Sequence, residues 1–137
     1  MAVVYSPEGK RRQYGYVWTK IRGIILERDA SFHGGVSTCE HCGAVDGELA
    51  YTGEGRNRRA IWKRNEDGTR TRVRVIMEVD HILPFCLGGE EMNPDNCVTM
   101  CRQCNRRFAD KRKDPETEYR LLLLAYERNR AILEGKA

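Results

Sequence analysis

The chain has no long apolar run. Its longest, Leu121 to Tyr126, falls far short of the roughly 18 consecutive apolar residues of a membrane span, so no membrane partner is expected. Residues 1–16, MAVVYSPEGKRRQYGY, also lack the apolar stretch of a signal peptide. Both absences predict a cytoplasmic protein. Thiols stay reduced in that compartment, so the 6 cysteines point to metal rather than disulfides. Apolar residues are few: of 137 residues 40% are hydrophobic and 32% charged, which predicts a single domain with a small core. A chain of that kind usually needs a staple of metal or disulfide. No internal repeat is visible.

A strong net charge is missing too, at only +4, but its distribution is uneven. Arg56, Arg58, Arg59, Lys63, Arg64, Arg70, Arg72 and Arg74 face only Glu66 and Asp67 in the same stretch. Such a local excess suits a polyanion, because each phosphate contact releases counterions. The alternative is an ordinary solvated charged face.

Residues 1–16 read as a basic arm. Val17, Ile21, Ile24 and Ile25 recur at helical spacing and predict a helix over 17–29. Residues 31–37 read as a loop, and the Gly- and Arg-rich stretch 46–59 as a mobile one. Ala60–Arg64 and Thr69–Val79 read as strands of a hairpin turning at Asn65-Glu66-Asp67-Gly68. In the second strand Val73, Val75, Met77 and Val79 share one face, and Arg72, Arg74, Ile76, Glu78 and Asp80 the other. Cys97 to Met100 is a short strand, followed by a helix from about Cys101 to Lys111. A last helix, 115–134, should start at Pro115 with Asp114 as its cap. Its apolar side would carry Tyr119, Leu122, Leu123, Tyr126 and Leu133, able to dock on the core or to pair with a second copy in a homodimer.

Cys39-x-x-Cys42 and Cys101-x-x-Cys104 are matched knuckles. Two residues between cysteines let both thiolates face one ion, and two such pairs complete a tetrahedral zinc site with no position open to water. That site is structural by its chemistry. A redox dithiol or unrelated buried cysteines are the alternatives. Cys86 and Cys97 lack a partner motif and read as buried small apolar residues. His41, inside the first knuckle, is expected to face solvent.

Between the knuckles runs Glu78-Val79-Asp80-His81-Ile82-Leu83-Pro84, then Gly88-Gly89, Asn96 and, after Cys104, Asn105. Taken alone, Asp-His is a common dipeptide, and a capping Asp with a packed His is the favoured reading. A strand end can, however, aim adjacent Asp and His side chains in different directions, one towards a metal and the other towards a water. An Asn on a neighbouring helix can complete such a site with a neutral oxygen. Oxygen ligands with open water positions suit Mg²⁺ or Mn²⁺.

Residues 78–111, with the knuckle at Cys39, resemble the HNH endonucleases, whose pattern runs Asp-His-Ile, Pro, Gly-Gly, Asn, Cys-x-x-Cys and then His or Asn. The segments Trp18 to Arg22 and Ile25 to Asp29 resemble the helix that precedes the first knuckle in many members. The resemblance implies an α+β fold with a ββα-metal core (the His-Me finger), stapled by the four-cysteine zinc. The resemblance covers about half the chain, and a single domain is expected over 17–137, with a zinc-stapled core at 39–113 and a basic hairpin insertion at about 56–76. By position His81 is the first motif residue, Asn96 the middle one, and Asn105 stands where many relatives have His.

That resemblance implies a DNA endonuclease in which His81 is the general base. Asp80 and Asn105 would hold one divalent cation, Mg²⁺ or alternatively Mn²⁺ or Ni²⁺, at the scissile phosphate. Asn96 would brace the loop and orient His81, with Glu78 as an accessory ligand. The products would carry a 5′-phosphate and a 3′-hydroxyl. The chain departs from the pattern in the long connection that holds the basic hairpin and in a slightly longer loop between His81 and Asn96. In the insertion Arg58, Arg59, Lys63, Arg64, Arg70, Arg72 and Arg74 could track phosphates. Beyond the motif, Arg106, Arg107, Lys111 and Arg112 could bind the backbone of the cleaved strand. Small free-standing members of this kind resemble phage or mobile-element proteins, which implies a bacterial or phage-infected cell and a phage or mobile-element partner. Two other readings compete: a non-catalytic zinc-stapled DNA-binding module, and an accessory protein whose basic face docks acidic partners.

Overall fold

The computed structural model describes residues 7–109 and 111–135, with side chains from Gly15 onward. Its elements are α1 (Pro7–Ser31), β1 (Tyr51–Thr52), β2 (Arg59–Ala60), β3 (Trp62–Arg64), β4 (Arg70–Arg72), β5 (Met77–His81), β6 (Cys97–Cys101), α2 (Arg102–Phe108) and α3 (Pro115–Leu133). This is an α+β arrangement of helices around short antiparallel strand pairs. No helix among the described residues is long and apolar enough to cross a membrane.

Helix α1 starts earlier than its apolar spacing predicts. Residues 7–16 of the expected arm belong to it, and residues 1–6 lie outside the described residues. Pro7 suits a first helical turn, and Glu8, Lys10, Arg11, Arg12 and Gln13 are good helix formers, so nothing stops propagation. The buried stripe is also rotated from the expected one. Ile25, Arg28 and Asp29 are buried, with Trp18 and Ile21 packed alongside, whereas Ile24 is exposed.

The pair β5–β6 is the centre of the fold, with Met77 opposite Cys101, Val79 opposite Thr99 and His81 opposite Cys97. Every residue of β6 is buried. Val98 and Met100 join Leu121 and Ala125 of α3 in the larger core cluster, while Cys97 packs with Ile25 and Val79 on the α1 side. Only β5 pairs with β6, so its other edge needs partners. Asp29 Oδ2 accepts from Thr99 N at 2.8 Å, Arg28 Nη2 donates to Cys97 O at 2.6 Å, and Glu40 N donates to Thr99 O at 3.1 Å. Arg28 Nε in turn bonds Asp29 Oδ1 at 2.9 Å, and Arg128 from α3 joins Asp29 to Glu40. Helices α1 and α3 are thus fastened to the strand behind the motif.

The strand expected over Thr69–Val79 changes partner along its length. β4 pairs with β3 around the turn, where Asn65 N bonds Thr69 O at 2.8 Å and Gly68 has φ +88°. From Val73 the main chain turns to residues 47–50, with Ala50 N to Val73 O at 2.8 Å and Val75 N to Glu48 O at 2.7 Å. β5 then takes β6. The stretch 46–59, expected to be a mobile loop, holds the small β1–β2 pair.

Helix α3 has its predicted start: Asp114 accepts from Thr117 N at 3.0 Å, and Pro115 opens the first turn. Its buried face differs from the expected one. Leu121 and Ala125 are buried, whereas Tyr119, Leu123, Tyr126 and Leu133 are exposed. The run of four leucines allows more than one stripe. Arg128 and Asn129 decide between them by reaching Asp29, Glu40 and Asp95 across the fold.

Candidate active site and metal centre

The two knuckles meet in space. Cys39 and Cys42 lie in the turn after α1, where Gly43 N bonds Cys39 O at 2.9 Å; Cys101 ends β6 and Cys104 lies in α2. The four Sγ atoms lie within 4.8 Å of one another, and those of Cys42 and Cys101 are 3.8 Å apart. Tetrahedral zinc with its bond of about 2.3 Å sets sulfurs about 3.8 Å apart. Donor type and spacing therefore both fit a closed, structural zinc site. Hydrogen bonding from Cys101 holds the Cys39 thiol far below its ordinary value, and contact with Cys101 drives Cys104 far above it. Thiols this close cannot all lose their protons unless a cation offsets the charge, which is what zinc supplies. Of the remaining cysteines, Cys97 is buried as expected, and burial pushes its thiol up to about 12. Cys86 is exposed, contrary to expectation, because it lies in the short helical turn Phe85–Leu87 on the loop surface. His41 is half-buried rather than solvent-facing, its ring edge-on to Phe108 at 5.1 Å.

Asp80 and His81 end β5, and Asn105 lies in α2. All three line one cavity of about 390 Å³, together with Arg106, Lys111 and Lys113. His81 Nε2 is 2.9 Å from the carbonyl oxygen of Glu91. A carbonyl can only accept, so Nε2 carries the proton and the lone pair of the neutral ring falls on Nδ1. Trp18 of α1 stacks on the same imidazole, with centroids 4.6 Å apart and 26° between planes. Asn105 Nδ2 donates to Glu78 Oε1 at 2.9 Å, and Arg102 Nε donates to Glu78 Oε2 at 2.8 Å. Asn105's nitrogen is thereby engaged, leaving its Oδ1 to accept.

Asp80 is 5% exposed although it shares a strand face with exposed Ile76. The difference is Lys113, whose ammonium is 2.8 Å from Asp80 Oδ2, donates to Ile82 O at 2.9 Å and lies over the Phe108 ring. Burial raises the Asp80 carboxyl above its ordinary value, and the Lys113 charge opposes that rise. Nothing local in the segment Lys111-Arg112-Lys113 marks Lys113 as buried. Trp18 and Glu91 likewise carry no sequence signal for their contacts with His81.

Asn96 lies outside this cavity and ties the intervening loop. Its Oδ1 accepts from Leu83 N at 2.9 Å, and its Nδ2 donates to Leu83 O at 2.9 Å and Glu90 O at 3.0 Å. The loop closes over itself at Gly89, where a Cβ would collide with the Leu83 carbonyl oxygen. The Pro and Gly-Gly of the motif thus serve a fold-back that brings the Glu91 carbonyl to His81.

The basic side chains fall into groups. Arg106 and Lys111 line the Asp80 cavity, whereas Arg107 lines a second cavity of about 550 Å³ beside Tyr51, Arg58 and the knuckles. None of the hairpin arginines lines the Asp80 cavity. Arg59, Lys63, Arg64 and Arg70 are exposed. Arg74 is engaged with Gly47 O at 2.9 Å, Arg112 with Glu118, and Arg72 lies between two aromatic rings.

The family model for HNH endonucleases matches residues 66–111. No curated protein and no solved structure matches the chain. The matched stretch runs from the β3–β4 turn through Asp80-His81 and the second knuckle to Lys111, leaving the first knuckle and both long helices outside it. Over those residues the chain is similar to HNH endonuclease domains, which suggests a nuclease or nucleic-acid-binding module.

Proposed function

We propose that the protein is a divalent-metal-dependent endonuclease that hydrolyses DNA phosphodiester bonds. The observation that carries this reading is the state of His81: its Nε2 proton is committed to a main-chain carbonyl, and it shares one cavity with Asp80 and Asn105. His81 Nδ1 takes the proton from the attacking water as the new P–O bond forms. The bond to the 3′ oxygen breaks and that oxygen takes a proton from solvent water, giving a 3′-hydroxyl and a 5′-phosphate. Asp80 and the amide oxygen of Asn105 are the donors for a cation of the Mg²⁺, Mn²⁺ or Ni²⁺ kind, which when bound neutralises charge at the phosphate. Asn105 is oriented for that role by Glu78, a positioning function in place of the accessory ligation first expected. Asn96 holds the loop that carries the Glu91 carbonyl and so orients His81 without touching the cation. Trp18 fixes the other face of the ring. Arg106 and Lys111, in the same cavity, supply positive charge for the cleaved strand.

The non-catalytic binding module has one observation in its favour, the ammonium of Lys113 already set against Asp80. That ammonium is placed against Oδ2, and Asp80 still lines the cavity shared with His81 and Asn105. Nicking of supercoiled plasmid with Mg²⁺, Mn²⁺ or Ni²⁺ tests the two readings. The wild type should nick, and His81→Ala should lower the rate by about a hundredfold or more, the usual size of a general-base contribution. Equal cutting by both would reject His81 as base. DNA binding without cutting under any of the three metals would favour the module.

A further inference from the structure

Two large aromatic rings are exposed in the most basic part of the molecule. Trp62 is 49% exposed and Tyr51 38%. The opposite side of this hairpin explains why: Ile61 and Val73 pack against the core, so Trp62, with Arg72 directly across the strand pair, faces away from it. The guanidinium carbons line up with the rings. Arg58 lies 3.7 Å from the Tyr51 centroid, Arg72 lies 5.0 Å from Tyr51 and 5.3 Å from Trp62, and Arg70 lies 5.4 Å from Trp62. Arg72 is thus near both rings, with Arg58 beside Tyr51 and Arg70 beside Trp62. Its Nε and Nη2 are covered and have no hydrogen-bond partner among the described residues. Those two donors are turned away from solvent. Arg72 holds two rings in place.

We propose that Tyr51 and Trp62 form a stacking platform for unpaired bases, so that the DNA this protein grips contains a single-stranded segment. The inference rests on the nucleic-acid-binding reading of the domain and goes beyond it by naming the form of the ligand. In a duplex both faces of each base are occupied by neighbouring bases, so a ring on a protein surface can stack only on a base that is terminal or unpaired. Stacking on an aromatic ring is indifferent to base identity, so the platform would grip a single strand without selecting its sequence. The exposed Arg59, Lys63, Arg64 and Arg70 flank the rings and supply backbone contacts. The platform also connects to the cutting cavity. Tyr51 and Arg58 line the cavity that holds Arg107, while the next residue back, Arg106, lines the cavity of Asp80 and His81. A strand stacked on the hairpin therefore reaches the motif by crossing α2.

Fluorescence anisotropy without added Mg²⁺, Mn²⁺ or Ni²⁺, which withholds the cutting cation and leaves the structural zinc in place, separates this inference from the nuclease reading. The probes are labelled oligo(dT), a blunt duplex of equal phosphate number, a forked duplex and oligo(U). The wild type should bind oligo(dT) and the fork about tenfold or more tightly than the blunt duplex. Trp62→Ala should weaken oligo(dT) binding about tenfold, the size of one lost stack, and leave blunt-duplex binding unchanged. Because Trp62→Ala could unravel the hairpin, Trp62→Phe serves as the second variant, and it should restore most of the binding. Equal affinity for single strand and duplex would overturn the platform, as would a parallel loss on both ligands in Trp62→Ala. Tighter binding of oligo(U) than of oligo(dT) would overturn the assignment to DNA. A protein that shows the single-strand preference yet never cuts would retain the platform and lose the nuclease.

Discussion

Lys113 and Asp80 form an ion pair at 2.8 Å with both side chains almost wholly withdrawn from solvent. The same ammonium also donates to the Ile82 carbonyl, and its charge beside Asp80 opposes the effect of burial on that carboxyl. Removing one member of a buried pair leaves the other uncompensated, at a cost of about 3–5 kcal/mol. Lys113→Met should therefore lower stability in urea by that order, and adding Asp80→Asn to it should recover part of the loss. A Lys113→Met protein with an unchanged urea midpoint would mean that the pair is not what keeps Asp80 charged in place.

Trp18 is 4.6 Å from the His81 ring and belongs to a helix outside the matched family segment. A leucine there fills space without a flat face. Trp18→Leu is expected to slow plasmid nicking by about ten- to a hundredfold through misplacement of the imidazole, while zinc content stays at the wild-type level. Trp18→Phe should keep most of the rate. Nicking rates of the leucine and phenylalanine variants that both equal wild type would remove Trp18 from the site.

The sulfur cluster predicts about one tightly held zinc per chain, a stoichiometry set by its four ligands. Chelation, or Cys104→Ser, should lower the melting temperature sharply, because the knuckles join the start of the core to β6 and α2. Metal analysis combined with thermal unfolding decides it, and a metal-free protein that melts where the untreated one does would refute the staple.

On the hairpin, neutralising Lys63, Arg64 and Arg70 to Gln should reduce the salt slope of DNA binding by about three, close to one unit per phosphate contact. Arg74→Gln should barely change the slope, since that side chain is engaged with Gly47 O. Affinities measured across a salt series would show the contrast, and equal slopes for the two proteins would place the DNA elsewhere.

Asp114 caps α3 through Thr117 N, and that bond holds its carboxyl below the ordinary value of 3.8. A carboxylate with a lowered native pKa contributes stability that is present above the ordinary value and lost as pH falls through the lower native one. Asp114→Ala should melt at a lower temperature than wild type at neutral pH, with the gap closing below pH 3.8. A gap that persists unchanged in acid would show that the charge of Asp114 plays no part.

What could be read from the sequence was what depends on near neighbours in the chain. The cap at Asp114, the turn at Gly68 and the paired knuckles are local chemistry, and so is the order of Asp80, His81, Asn96 and Asn105. The contacts of those side chains were not legible. Trp18, Glu91 and Lys113 meet Asp80 and His81 only because α1, the loop and the segment before α3 converge on β5. The buried faces of α1 and α3 were misread for the same reason: Arg28, Asp29, Arg128 and Asn129 look like solvated polar residues, yet they bind a strand edge and each other and so set how each helix is turned. The exposed pair Tyr51 and Trp62 gave no periodic signal, because it faces away from every apolar surface.

The sulfur junction makes the chain between its knuckles a closed circuit, with the exposed turn at Asn65–Gly68 on its outer arc. Severing the chain at that turn would yield one piece with α1 and the first two sulfur ligands, and another with β5, β6, both later helices and the second two. Neither piece has a full ligand set, and each has half of the Trp18–His81 contact. Metal would thus be one of the links between such fragments, beside the contacts of Arg28 and Asp29 with β6.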